Sequence, residues 1–329
     1  MPKPSDTIGK TIHPLYNYPV ESFAVFFIIV ILVFATQYFQ GELNQCLTPT
    51  LWAFGLLNLI TPLIASYLYK TFSSLQATVS TLADTNQKSW FSQQETTIFG
   101  VNAGSIFTTI CLALGGGIIN YFMVGCVWTG IAKFFYFLHV VLLFGSLGIL
   151  GWSYWGILLF SYRLRTIRLN SEPFETKKDE FETIGIALLG MFFAGVLLYI
   201  GALTATWISP LIYFFEVLMV QYVIFPVAIV LVCFFLFMQH FLHELMERNK
   251  RVRVEKILLF TKKHYVKWKK SQLPAHRTAI NDLLVWKEKV EKEKDHPFDL
   301  LIIVFALATI FLPPIALFLP AIKTILQSF

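Results

Sequence analysis

Apolar residues in this chain come in long runs, not in alternation. Seven runs stand out, near Val20–Phe39, Leu51–Tyr69, Val101–Val124, Phe134–Tyr162, Ile184–Trp207, Leu211–His240 and Phe298–Ala321. A helix needs ~20 apolar residues to cross ~30 Å of hydrocarbon, and these runs are of that length. Strands of a membrane barrel are ~10 residues long and alternate in polarity, a pattern this sequence does not have. The runs predict an all-α, polytopic membrane protein of about seven transmembrane helices, because a helix satisfies its own backbone hydrogen bonds inside lipid. No small-x-small cleavage site follows the first run, so it reads as a retained span and not as a signal peptide.

Two stretches keep a helical period beyond their apolar run. After Tyr69, residues Phe72, Leu75, Val79 and Leu82 recur at 3-4-3 spacing, so the second span is expected to continue as a helix outside the membrane. After the sixth run, Val254, Ile257, Leu258, Thr261, Tyr265 and Trp268 trace one face of an amphipathic helix, with Lys and Arg opposite. Pro274 ends that helix, and a second one carries Ile280, Leu283, Leu284 and Val290 before Pro297. Pro226 is expected to kink the sixth span. The organisation predicted is a tail over 1–19, six spans with short outer loops over 20–243, basic amphipathic helices over 244–296 between spans six and seven, and a last span with a short C-terminus over 297–329. The apolar face of the sixth-span extension is expected to pack on the Phe72–Leu82 seam or on neighbouring subunits.

Charge orients these spans. Of the 26 Lys and Arg residues, 24 lie in the N-terminal tail, after span two, after span four and after span six. Only Lys133 and Lys323 fall on the other side. The positive-inside bias therefore predicts a cytoplasmic N-terminus and an outer C-terminus, in the cell membrane. The chain is 56% hydrophobic and 14% charged, with a formal net charge of +6 and a mean hydropathy of +0.64. A soluble chain carries about 25% charged residues. The positive balance is accounted for by the inner loops, so it points to a membrane surface and not to nucleic acid. Cys46 and Cys126 fall on the outer side, where a disulfide is possible, while Cys111 and Cys233 are mid-span and expected to stay reduced.

Polar groups inside spans are costly and often functional. Glu216 lies roughly 9 Å below the Ser209-Pro210 turn; Tyr213 shares its helical face and Gln221 borders it. With His139 in the outer part of span four, these are the candidates for an ion or substrate path. Asn58 and Asn120 are uncharged polar candidates. Glycines in span three (Gly115, Gly116, Gly117), span four (Gly145, Gly148, Gly151) and span five (Gly190, Gly195) read either as close helix packing or, for the triple glycine, as a flexible point.

Lys262, Lys263, Lys267, Lys269 and Lys270, interleaved with Tyr265 and Trp268, read as a site for anionic lipid headgroups or a partner, or as a solvated positive face. His240, His243 and Glu244 share one helical face and are weak metal-ligand candidates, in an order that differs from the metalloprotease His-Glu-x-x-His. No phosphate loop or G-x-S-x-G is present, and no cofactor is implied. The chain is expected not to be an enzyme. In topology alone it is similar to insect chemoreceptor channels, which are seven-span, N-in and C-out with cytoplasmic helices between spans six and seven. That resemblance implies an oligomeric channel, although Pro313-Pro314 departs from an uninterrupted pore helix. The reading that results is an oligomeric, channel-like protein with a cytoplasmic helical assembly and gating region. A membrane scaffold or sensor acting through the basic helices is the alternative, and a secondary transporter comes after it.

Overall fold

The structure, a computed structural model, describes residues 14–17, 19–39, 48–82, 88–123, 130–165, 178–208, 225–293 and 308. The regular elements among them are helices: α1 Pro14–Asn17, α2 Pro19–Phe39, α3 Thr48–Leu82, α4 Lys88–Phe99, α5 Ala103–Met123, α6 Gly130–Leu164, α7 Lys178–Ile208, α8 Phe225–Ser271 and α9 Pro274–Glu291. Three helical stretches are long and apolar enough to cross a membrane: Lys133–Leu164, Glu180–Gly201 and Ile229–Ser271. Val20–Thr36 and Ala103–Ile118 are shorter apolar helices. The seventh expected span, apart from Ala308, and the Glu216 region lie outside the described residues. So do the expected outer cysteines Cys46 and Cys126.

α3 and α6 form the centre. α3 pairs along much of its length with α7, and α6 with α5. The α5–α6 contact depends on small residues. A Cβ on Gly148 would sit 2.8 Å from the Thr108 carbonyl oxygen and from Thr109 Cα, so only glycine lets these backbones meet. Gly116 receives the ring of Phe144 in the same way. The triple glycine therefore lies within an unbroken helix and serves packing at Gly116, while nothing approaches Gly115. α5 begins with a reciprocal cap: Ser105 N–H donates to Asn102 Oδ1 at 3.0 Å, and Asn102 N–H donates to Ser105 Oγ at 3.1 Å.

The two predicted helical continuations are present. α3 runs unbroken for 35 residues with Pro62 inside it, about 52 Å against a hydrocarbon layer of ~30 Å. Phe72, Leu75, Val79 and Leu82 are all buried along the side of α3 that faces the bundle. Phe72 meets Phe99 of α4 and Phe160 of α6, with ring centroids 5.2 and 4.9 Å apart. Trp90 stacks flat on Phe160 at 5.9 Å. The polar-looking tract 88–99 is itself a helix that packs at the base of the bundle. Trp90 and Phe99 pack into the bundle, and its Gln and Thr residues stay at the surface or bond their own helix.

α1 was expected to be plain tail. It folds against the bundle: Leu15 and Tyr16 are buried, and the Tyr16 hydroxyl donates to the Ile149 carbonyl at 3.1 Å and meets Ser153 Oγ. The Tyr16 ring lies edge-on to Phe99, 4.9 Å away. Burial raises the pKa of this phenol and the Ser153 bond lowers it, with burial the larger effect, so Tyr16 stays neutral.

α8 is one helix of 47 residues, about 70 Å long. It joins the bundle through α6 and α7, leaves it where Arg248 Nη1 donates to the Arg165 carbonyl, and then pairs with α9. Pro226 stands at the start of α8, and a kink with the residues before it lies outside the described residues.

Candidate functional site

Of the sequence-designated path residues, Glu216, Tyr213 and Gln221 lie outside the described residues. His139 is inside them. It is buried on α6, and Asn58 of α3, also buried, crosses to it. Asn58 Nδ2 donates to His139 Nδ1 at 3.0 Å and to the His139 carbonyl at 3.2 Å. A carbonyl accepts only, so the side-chain atom beside it is the amide nitrogen. Nδ1 is then the acceptor, and the imidazole proton sits on Nε2. Nε2 of His139 and Oδ1 of Asn58 are both buried with no hydrogen-bond partner. Pro62, one turn on from Asn58, offers no N–H to the Asn58 carbonyl. The arrangement ties α3 to α6 in the middle of the fold and leaves one donor and one acceptor unspent.

Three other buried hydroxyls bond within their own helices: Thr61 to the Leu57 carbonyl at 2.7 Å, Ser146 to Leu143 at 2.9 Å and Ser161 to Ile157 at 2.9 Å. These hydroxyls spend their protons on their own helix backbone.

The second candidate is the α8–α9 hairpin. Its seam is narrow: Ile257 of α8 with Leu283 and Val290 of α9, flanked by Val254 and Trp286. Arg253, only 1% exposed, donates through Nη1 to Glu293 at 2.6 Å. Its Nε and Nη2, and Oδ1 of neighbouring Asn249, have no partner. Lys250 Nζ adds a bond to the Glu293 carbonyl at 3.1 Å. Arg248, nearer the bundle, has its pKa lowered by burial, with Glu244 acting in the opposite direction. At the tip, His264 and His276 meet with ring centroids 5.5 Å apart. The turn needs Gln272 in the left-handed region, at φ 49°, with its N–H donating to the Trp268 carbonyl at 2.7 Å.

The face expected to pack on the Phe72–Leu82 seam is divided. Val254 and Ile257 do pack, but on α9, because the seam is already covered by α4, α6 and α7. Leu258 and Tyr265 are exposed and Trp268 is half-buried. Lys262, Lys263, Lys267, Lys269 and Lys270 are all exposed. A feature not singled out from the sequence lies on the side of α8 away from α9. Val252, Leu259 and Val266 repeat every seven residues along α8, and the last two are about half-exposed or more; Leu273, next in that spacing, lies in the turn to α9 and is exposed too. Lys262 and Lys269 border this stripe on one side, Lys263 and Lys270 on the other. The spacing is legible in the sequence, but the interleaved lysines make the segment read as one basic face.

His240 is exposed, while His243 and Glu244 are half-buried. Among the described residues no three His, Cys, Asp or Glu side chains converge as a metal site. Cys111 and Cys233 are free and exposed on their helices. No family model matches this chain, and no curated protein or solved structure matches it either.

Proposed function

We propose that the chain is a seven-span membrane protein, N-terminus inside and C-terminus outside, whose protomers assemble through the α8–α9 hairpin into an oligomeric, channel-like pore. The observation that carries this reading is the exposed apolar stripe of Leu259 and Val266 on a helix that runs on past the apolar part of the bundle. Residue 262 is 19 positions beyond His243, about 28 Å along the helix axis. A tilt of ~40° still leaves about 20 Å. The headgroup layer is only about 5–8 Å deep and charge is screened over ~8 Å. The stripe and its lysines thus stand beyond their own bilayer, and a protein surface is the fitting cover.

Two identical stripes laid side by side in parallel would oppose lysine to lysine. A head-to-tail contact with the outer side of a neighbour's α9 avoids that. There Leu284 and Val285 are exposed beside Asp282 and Glu288. Such heterologous contacts close into rings, and a ring places a pore between protomers. The hairpin is then the assembly and gating region, with Glu216 the candidate at the outer mouth.

The test is the oligomeric state in detergent, followed by ion flux in liposomes. Wild type is expected to be oligomeric and conducting. Leu259→Ser with Val266→Ser is expected to yield monomers without flux. A monomeric wild type overturns the assembly, and an oligomer without flux overturns the pore. The four lysines around the stripe support a second reading, a scaffold or sensor that docks an acidic partner protein. Charge reversal at Lys263 and Lys270 that spares the oligomer favours that reading.

A further inference from the structure

A groove of about 730 Å³ lies between α2, α5 and α6, along the middle of α6. Its size is that of a small-molecule site, for which ~300–1,000 Å³ is usual. The polar groups lie at one end. Glu21 and Ser22 stand in the first turn of α2, at the level where α1 is held to Ile149. Glu21 is the only charged residue among the described lining residues, and it has no ion-pair partner among the described residues. Beyond that end the walls are apolar: Val25 and Phe26 of α2, Ala113 of α5, Val141 of α6. The hydroxyls deeper in the groove are turned away. Thr109 donates to the Ser105 carbonyl at 2.6 Å and Ser146 to Leu143 at 2.9 Å. From Ile149 to Val141 the groove follows α6 for about 12 Å.

We infer that this groove seats the acyl chain of a membrane lipid whose headgroup is a primary ammonium, of the phosphatidylethanolamine class. The inference is independent of the pore. In a chain that crosses the bilayer, the medium at an open inter-helix groove is hydrocarbon, and an amphiphile matches a site with one polar end. The carboxylate at that end selects the headgroup. A primary ammonium donates charge-assisted hydrogen bonds to Glu21. A choline has no N–H to donate, and a glycerol headgroup leaves the lipid phosphate unneutralised near the carboxylate. Because Glu21 is exposed, the selection is modest, about two- to fivefold.

The experiment uses the full chain in nanodiscs of equal parts ethanolamine, choline and glycerol phospholipids. A photo-crosslinking side chain at Val25, which lines the groove and is half-exposed, reports the occupant by mass spectrometry. The expected result is a lipid adduct enriched about two- to fivefold in ethanolamine lipid, with Glu21→Gln keeping the adduct and losing the enrichment. Gly145→Leu fills the groove, since a Cβ there already lies 3.6 Å from Thr109, and is expected to abolish the adduct. Ala113→Phe does the same from the opposite wall, should Gly145→Leu fail to fold. A protein adduct in place of lipid, equal or greater capture of the glycerol lipid, or enrichment unchanged in Glu21→Gln overturns the inference.

Discussion

The base of the bundle and the α8–α9 hairpin are both helical and both project beyond the apolar runs, yet they are held together differently. At the base, Phe72, Leu75, Val79 and Leu82 face aromatic and aliphatic side chains of α4, α6 and α7, and all are at or near zero exposure. Each such burial contributes up to ~1.5–3 kcal/mol, and no ion pair is needed. The hairpin has three fully buried apolar residues and one buried charge. Val254 and Trp286 flank them half-buried, while Leu259, Val266, Leu284 and Val285 stay exposed. A region closed on all sides is finished as a monomer; a two-helix hairpin with an apolar outer stripe is not. The contrast locates the surface that the proposed assembly would cover.

The largest expected effect breaks the base. Phe72→Ala removes the ring that links α3 to α4 and α6 and is expected to cost about 3–5 kcal/mol, seen as a fall in the thermal midpoint of the whole protein in detergent.

The hairpin is expected to respond to charge instead, and asymmetrically. Glu293→Ala leaves the buried Arg253 guanidinium without its partner, a loss of about 3 kcal/mol. Arg253→Ala leaves a carboxylate that is about one-third exposed and is expected to cost about 1–2 kcal/mol. Hydrogen exchange over α9 reads both, and base residues should keep their protection. Equal losses for the two variants would mean that Arg253 is hydrated.

Asn58→Ala tests the polar tie inside the bundle. It strips His139 Nδ1 of its donor at a buried position, for an expected loss of about 1–3 kcal/mol. A silent Asn58→Ala would show that the α3–α6 contact rests on apolar packing alone.

The smallest effect has the opposite sign. Gln272 is held at φ 49°, a region glycine occupies without steric cost. Gln272→Gly is expected to stabilise the hairpin turn by about 0.5–1 kcal/mol, visible as slower exchange at the ends of α8 and α9 alone.

The sequence by itself determined the helical membrane class, the continuation of α3 through Leu82 and of α8 through Ser271, the break before Pro274 and the inward face of the Phe72–Leu82 seam. These follow from run length, helical period and proline chemistry, all of which act within a few turns of one chain segment. The 88–99 tract was missed because its polar residues outnumber the aromatics that anchor it. Only the tertiary structure decided the rest. It folded Tyr16 onto Ser153, 137 residues away, and brought Asn58 to His139 across 81 residues. It opened a groove between α2, α5 and α6, and it gave α9 the Ile257 face while leaving Leu259 and Val266 uncovered. A helical period specifies which side chains share a face, but not which neighbour arrives to cover that face. On α8 two apolar stripes share one helix, and the position of α9 chose between them.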